Sequence, residues 1–203
     1  MARAGASGAH GALDPGALVV LPGAGAGRDH PTLLACEAAS PVPTTRYEFA
    51  NPRARQPRLL DEVGVAARAA AVDAGIGVDR VVLGGRSFGG RMCSLAVAEG
   101  HPAAGLVLMA YPLHPPGRPE NLRTAHLPQL SLPVLVVSGT RDPFGTPAEL
   151  EEHLAVVPGP VTWCWVDGAG HDWRGRDAQV AGAVAAWLRG DEVPEHLVKP
   201  PRR

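Results

Sequence analysis

The chain has 203 residues, of which 45% are hydrophobic and 19% charged, and its formal net charge at pH 7 is −1. A chain of this length and apolar content can bury one sizeable core, so we expect a single compact domain. The near-neutral charge gives no general attraction to nucleic acid or to an anionic membrane surface, and we expect neither as a partner.

Targeting and metal-binding patterns are missing from the sequence. No apolar run reaches the about 18 residues of a membrane span, and residues 1 to 16 lack the apolar segment of a signal peptide. The cysteines, at positions 36, 93 and 164, are odd in number and have no CxxC spacing. This indicates neither a disulfide framework nor a metal site. We therefore expect the protein to be located in the reducing cytoplasm and to bind no metal and no other cofactor.

Apolar runs alternate with helical patterns along the chain. The predicted strands cover residues 17–21, 44–50, 79–84, 105–110, 133–138 and 161–166, and the predicted helices 29–39, 58–75, 88–99, 147–156 and 176–189. This alternation, with near-continuous apolar strands, is typical of a mainly parallel sheet covered by helices on both faces. We predict an α/β class domain over residues 17–189, preceded by a flexible segment, 1–16, and followed by a C-terminal tail, 190–203.

The first strand leads into a glycine-rich loop, Pro22 to Gly27. A dinucleotide fingerprint would need its third glycine at position 28, which is arginine, and no phosphate-loop GK[ST] motif is present. Nucleotide binding is therefore disfavoured. Glycines let a chain turn its N–H groups inward without obstruction. Ala24, with Gly25 as the next choice, is the candidate for a backbone N–H that would donate to the oxyanion of a tetrahedral intermediate.

The third strand runs directly into Gly-Gly-Arg-Ser-Phe-Gly-Gly, residues 84–90. This GxSxG pattern between a strand and a helix is typical of a nucleophile elbow, in which small residues must lie two positions either side of the serine. Ser87 is the candidate nucleophile, and Phe88 supplies the expected second oxyanion N–H. Arg86 and Arg91 flank the serine; a salt bridge to a neighbouring carboxylate and contact with an acidic substrate are both open roles for them.

Between the fourth and fifth strands lie only residues 111–132, too few for a helical lid. We expect this short loop to cover the site instead. Tyr111, His114 and His126 are candidates to face the substrate, although a proline-rich loop also needs packing and hydrogen bonds of its own.

The fifth and sixth strands are each followed by a candidate catalytic side chain. Asp142 follows the fifth strand and His171 the sixth, so the order is serine, acid, histidine, as expected on this type of sheet. Catalytic groups in open α/β sheets gather at this edge. Asp142 also starts an Asp-Pro turn, which is a purely structural alternative, and Asp167 is the reserve acid. Trp173 is a candidate pocket wall.

Together these segments resemble the α/β-hydrolase superfamily. GGRSFGGR at 84–91 and YPLHPPG at 111–117 resemble more narrowly a small hydrolase-like family of bacterial hydrolases, testis-expressed hydrolase-like proteins and a subunit of the non-specific lethal chromatin complex. That family usually has His-Gly where this chain has Pro22 and Gly23. The resemblance implies a sheet with the second strand at one edge, the first beside it and the other four following in order.

The residues predict a serine esterase or thioesterase acting on a small-molecule acyl substrate. Ser87 would attack the carbonyl, His171 would transfer the proton and Asp142 would orient His171. A non-catalytic binding module on the same fold, and acyl transfer to an acceptor other than water, are the alternatives. Acyl length and oligomeric state do not follow from the sequence.

Overall fold

The computed structural model describes residues 13–173 and 175–199. In these ranges strands and helices alternate. The strands are β1 (Ala17–Leu21), β2 (Thr44–Arg46), β3 (Val81–Arg86), β4 (Gly105–Met109), β5 (Val134–Gly139), β6 (Val161–Val166) and β7 (His196–Leu197). The α-helices are α1 (Pro31–Ala39), α2 (Gln56–Ala74), α3 (Phe88–Ala98), α4 (Pro147–Leu154) and α5 (Asp177–Arg189). Most of the predicted flexible segment 1–16, and the last four residues of the predicted tail, lie outside the described residues.

The strands form one parallel sheet in the order β2-β1-β3-β4-β5-β6-β7. This confirms the predicted α/β class and the order of the six predicted strands. Because every strand runs in the same direction, the loops after their carboxyl ends meet at one edge. The register sets Leu21 of β1 beside Gly85 of β3, so the glycine loop begins next to the elbow.

The sheet has one strand more than predicted. Residues 190–203 were expected to be a tail, but His196–Leu197 pair with β6, and the Trp165 N–H donates to the Glu195 carbonyl at 2.7 Å. A two-residue strand is too short to produce an alternating or continuous apolar pattern. The added strand covers the edge of β6, which would otherwise present unpaired backbone groups to solvent.

Two apolar layers cover the sheet, one on each face. Along β1 the side chains alternate between them: Val19 packs with α2 and α3, whereas Leu18 and Val20 pack with α1 and α5. All five residues of β1 are buried. A strand covered on both faces has a continuous apolar sequence, which is why the central strands were predicted to within two residues at each end.

The second predicted strand is the least accurate. It was expected to continue to residue 50 but ends at Arg46, after which the Tyr47 N–H still donates to the Val20 carbonyl at 3.0 Å. The chain then turns so that Phe49 packs edge-on against Phe88, with ring centroids 5.5 Å apart. Aromatic burial in a loop thus produced the apolar pattern of a longer strand.

Neither a membrane helix nor a metal cluster occurs within residues 13–173 and 175–199. No helix there is long and apolar enough to cross a bilayer. No group of three or more histidine, cysteine or acidic side chains there is arranged to hold a metal ion.

Candidate active site

A single residue, Ser87, joins β3 to α3 in a sharp turn. Its backbone angles are φ 51° and ψ −113°, a conformation that non-glycine residues rarely adopt. The glycines on either side are required by close backbone contact. A Cβ atom on Gly85 would lie 2.5 Å from the Gly90 nitrogen, and one on Gly89 would overlap the Leu21 carbonyl oxygen. The strand, turn and helix therefore occur where the GxSxG pattern predicts them.

The structure brings Ser87, His171 and Asp142 together from three separate loops. His171 Nε2 lies 2.9 Å from Ser87 Oγ. On the other side of the ring, His171 Nδ1 lies 2.8 Å from Asp142 Oδ2 and 3.1 Å from Oδ1. The Asp142 side chain is fully buried, and that of His171 is 20% exposed. The three side chains form one continuous hydrogen-bonded line.

The carboxylate partner sets the protonation of the imidazole. An ionised carboxylate only accepts hydrogen bonds, so His171 Nδ1 carries a proton and its N–H donates a hydrogen bond to Asp142. In the neutral ring Nε2 is then unprotonated and accepts the hydrogen bond of the Ser87 hydroxyl. This is the tautomer that a general base for serine requires.

The loop that carries His171 is fixed against the end of β5. The Arg141 N–H donates to the Ala169 carbonyl at 2.8 Å. A Cβ atom on Gly139 would overlap the carbonyl oxygens of Ala169 and Gly170, so the two loops touch through their backbones. The Phe144 ring lies over the imidazole, with centroids 4.1 Å apart and planes inclined by 31°. These contacts limit the movement of His171.

Asp167, the reserve acid, has a different partner. Its Oδ1 lies 2.8 Å from His196 Nδ1, and this hydrogen bond raises the pKa of His196. Both side chains are at the surface, beside β7. The structure therefore pairs His171 with Asp142, and Asp167 with His196 of the added strand.

Phe88 and the glycine loop are both next to Ser87. Phe88 is the first residue of α3, so its N–H has no acceptor within the helix and lies at the positive end of the helix dipole. In the loop, the Ala26 N–H donates to the Gly23 carbonyl at 3.1 Å, which leaves Ala24 and Gly25 at the exposed corner of a turn. A Cβ atom on Gly23 would lie 3.5 Å from the Ser87 Cβ. The predicted donors are thus in segments adjacent to the serine.

Tyr111 and His114, predicted as substrate contacts, point into the protein. Tyr111 has no exposed surface, and its hydroxyl donates to the Arg123 carbonyl at 3.0 Å. His114 is 5% exposed, and its Nδ1 donates to the Pro115 carbonyl at 2.9 Å. Both side chains hold the 111–132 loop in place. The expectation that they face a substrate is therefore corrected.

His126, the third candidate in this loop, forms a second serine–histidine pair. Its Nε2 lies 2.8 Å from Ser94 Oγ, on α3. Ser94 is fully buried, and burial lowers the pKa of His126 to about 4. No substrate carbonyl can reach a hydroxyl without exposed surface. This pair connects the loop to α3 and is structural.

Trp173 is also buried, with 1% exposure, and its indole N–H donates to Thr32 Oγ1 at 3.0 Å. Together with His171 it lines a cavity of about 400 Å³ on the side of the loop toward β7. The structure therefore places Trp173 in the wall of a cavity next to His171, and its contact with a substrate stays a prediction.

One contact was missed by sequence reasoning. Arg86, the last residue of β3, donates from Nη2 to the backbone carbonyl of His171 at 2.5 Å. The signal in the sequence is a charged residue at the end of an otherwise apolar strand. A neighbouring carboxylate and an acidic substrate were the partners considered for Arg86. A backbone carbonyl as partner cannot be predicted from residue types, because every residue has one.

Several solved esterases share this fold. Est1E from Butyrivibrio proteoclasticus is 15% identical, with 87% of this chain and 88% of that chain covered and a TM-score of 0.66. A hyperthermophilic esterase from the archaeon Pyrobaculum calidifontis is 16% identical, with 88% and 75% covered and a TM-score of 0.63. A carboxylesterase from Bacillus cereus is 18% identical, with 88% and 90% covered and a TM-score of 0.58. At these identities the likeness shows the fold.

Two further similarities are found at the level of sequence. Polyketide synthase ThaQ from Burkholderia thailandensis is 46% identical over 48 residues, which are 24% of this chain and 2% of that much longer protein. A family model described as an alpha/beta hydrolase domain matches residues 15–187, well over half of the chain. The chain therefore belongs to the alpha/beta hydrolase domain family.

Proposed function

We propose that this protein is a serine hydrolase that cleaves ester or thioester bonds of small acyl substrates. The observation that carries the proposal is the unbroken line from Ser87 Oγ through His171, at 2.9 Å, to the buried Asp142 carboxylate, at 2.8 Å. Membership of the alpha/beta hydrolase domain family supports the same reaction class.

In the acylation step, Ser87 Oγ attacks the substrate carbonyl carbon while His171 Nε2 takes the hydroxyl proton. Asp142 stays ionised and stabilises the imidazolium through its bond to Nδ1. The N–H groups of Phe88 and Ala24, or Gly25, donate to the oxyanion. The tetrahedral adduct then collapses, and the departing alcohol or thiol takes the proton from His171 Nε2. The product is an acyl ester on Ser87.

In the second step a water molecule replaces the alcohol or thiol. His171 Nε2 takes a proton from the water as its oxygen attacks the acyl carbon. Collapse of the second tetrahedral adduct breaks the bond to Ser87 Oγ, which takes the proton back. A carboxylic acid leaves, and the site returns to its starting protonation.

The loop after β4 supports a small substrate. Its own Leu113, Leu127 and Leu130 are fully buried in the core, so the loop packs closely onto the domain. An apolar tunnel for a long acyl chain would need those side chains to line open space.

We also propose that the protein acts in the cytoplasm, and that within its family it is a bacterial relative of the small hydrolase-like proteins that GGRSFGGR and YPLHPPG resemble.

The first test is labelling with a fluorophosphonate, which reacts with activated serines. We expect the wild type to be labelled and Ser87→Ala not to be. Ser94→Ala is the matched control, because it removes a buried serine hydroxyl that is also hydrogen-bonded to a histidine, and it should keep its label. Hydrolysis of p-nitrophenyl esters of graded chain length then measures the acyl preference.

The alternatives give different results in the same experiment. Folded wild-type protein without a label would contradict the hydrolase proposal and favour a non-catalytic interaction module. A labelled protein that releases p-nitrophenol faster when an alcohol or thiol is added, with the acylated acceptor as product, would show an acyltransferase.

A further inference from the structure

Arg86 is a buried cation directly before the proposed nucleophile. It is 8% exposed, and desolvation lowers the pKa of its guanidinium. Burying a charge is unfavourable unless partners compensate, and apolar residues of similar size often fill such a position at a lower cost. The other five residues of β3 are apolar or glycine. Arg86 is thus a charged side chain, unfavourable to bury, at the end of a strand whose other residues are uncharged.

The guanidinium lies between the two loops that flank Ser87. Its Nη2 donates to the backbone carbonyl of His171 at 2.5 Å. Its Nη1 lies 3.4 Å from the position that a Cβ atom on Gly23 would occupy, so the guanidinium lies beside the glycine loop. One planar group therefore binds the histidine loop and lies next to the loop of the proposed oxyanion donors.

The indole ring of Trp173 lies close to the Arg86 guanidinium. The Arg86 Cζ lies 6.0 Å from the centre of the indole ring, within the range of a cation–π contact. The indole is fixed in turn, because its N–H donates to Thr32 Oγ1, and Thr32 donates to Asp177 at 2.5 Å. The platform beneath Arg86 is thus tied to the starts of α1 and α5.

We propose that Arg86 is a positioning residue, whose guanidinium holds the His171 backbone and the glycine loop at fixed distances from Ser87. The inference rests on the proposed function. Because the bond goes to the carbonyl of His171, it fixes the loop without competing with Asp142 for the imidazole. A misplacement of about 1 Å in a catalytic group can cost about 10²-fold in rate. Arg86 contacts the supports of the site and touches no reacting atom.

The first experiment compares Arg86→Met with Arg80→Ala as the control. Arg80 pairs with Asp14 on the surface at the opposite end of β3. We expect Arg86→Met to lower kcat by about 10²-fold, with little change in KM and no loss in Tm, because an apolar side chain of similar length fills the space. Wild-type kcat in Arg86→Met would overturn the proposal. So would a loss of kcat that is accompanied by an equal loss in Arg80→Ala.

A second variant separates positioning from packing. Arg86→Ala leaves a space the size of the guanidinium, and millimolar methylguanidinium should restore part of its kcat, whereas methylammonium, which lacks the planar fork, should restore less. Equal rescue by the two cations, or no rescue by either, would refute the assignment.

A third measurement does not depend on turnover. The proton between His171 Nδ1 and Asp142 should give a far-downfield NMR signal, and in Arg86→Met that signal should shift or broaden. If the wild type takes no fluorophosphonate label but Arg86→Met still changes this signal, the proposed function fails and the positioning role stands. An unchanged signal in Arg86→Met would refute the positioning role, whatever the labelling shows.

Discussion

Replacing Asp142 with asparagine should disable the proposed base while leaving its geometry intact. In the wild type, Asp142 Oδ1 accepts the Phe144 N–H at 2.9 Å, and Oδ2 accepts the His171 Nδ1–H at 2.8 Å. The Phe144 N–H can only donate, so in Asp142→Asn the amide oxygen must take the Oδ1 position. The amide NH₂ then faces His171 Nδ1.

This reversal changes the tautomer of His171. A donor opposite Nδ1 favours the ring with its proton on Nε2, which then donates to Ser87 Oγ and cannot accept the serine proton. The corresponding change in other serine enzymes lowers kcat by about 10⁴. We expect a loss of that order here, equivalent to roughly 5.4 kcal/mol of transition-state stabilisation. Since Asp142 is fully buried and keeps both of its hydrogen-bonding positions, the fold should persist.

The assay is steady-state hydrolysis of a short p-nitrophenyl ester, together with the rate of fluorophosphonate labelling, which should fall in parallel. Asp167→Asn is the matched control, because Asp167 pairs with His196 at the surface and should tolerate the change. Two results would refute the reasoning: a kcat for Asp142→Asn close to that of the wild type, or a larger loss in Asp167→Asn.

Two further substitutions test the elbow and the loop over α3. Gly85→Ala should lower the free energy of unfolding by about 1–3 kcal/mol or more, because its Cβ would lie 2.5 Å from a backbone nitrogen. Gly182→Ala on α5 is the control and should not lower Tm, because the added methyl group meets open space. Equal Tm values for the two variants would contradict the packing argument. His126 in the folded protein has its pKa lowered from 6.5 to about 4, so the unfolded chain binds more protons in that window and stability falls as the pH drops through it. His126→Gln removes this proton uptake and should lose less Tm than the wild type between pH 7 and pH 4.5; parallel losses would show that His126 is not desolvated.

Much of the fold could be predicted because the central strands are covered on both faces. β1 is an uninterrupted apolar run, β3 and β5 each begin with one, and the chemically informative residues lie shortly after these runs. Since parallel strands end at one edge, the order of Ser87, Asp142 and His171 along the chain was enough to predict that they meet. Their catalytic roles stay predictions until the variants are measured.

The remaining features depend on contacts that residue patterns do not encode. β7 is held by two backbone pairings and by Arg176, which donates to the Leu197 carbonyl, and two residues show no periodicity. Tyr111 and His114 turn inward because nearby backbone carbonyls accept hydrogen bonds from them, and these partners come together only when the loop has folded. The polar aromatic residue types in this loop therefore did not predict which side chains face a substrate.

The backbone of Ser87 has a consequence for protein engineering. A non-glycine residue held at φ 51° and ψ −113° stores roughly 1–3 kcal/mol of strain, a noticeable part of the 5–15 kcal/mol that typically separates a folded domain from its unfolded chain. Glycine at position 87 would relieve that strain and remove the hydroxyl at the same time. A library of this chain screened for heat resistance alone would accordingly enrich molecules that lack the proposed nucleophile, so position 87 should be held constant before such a screen begins.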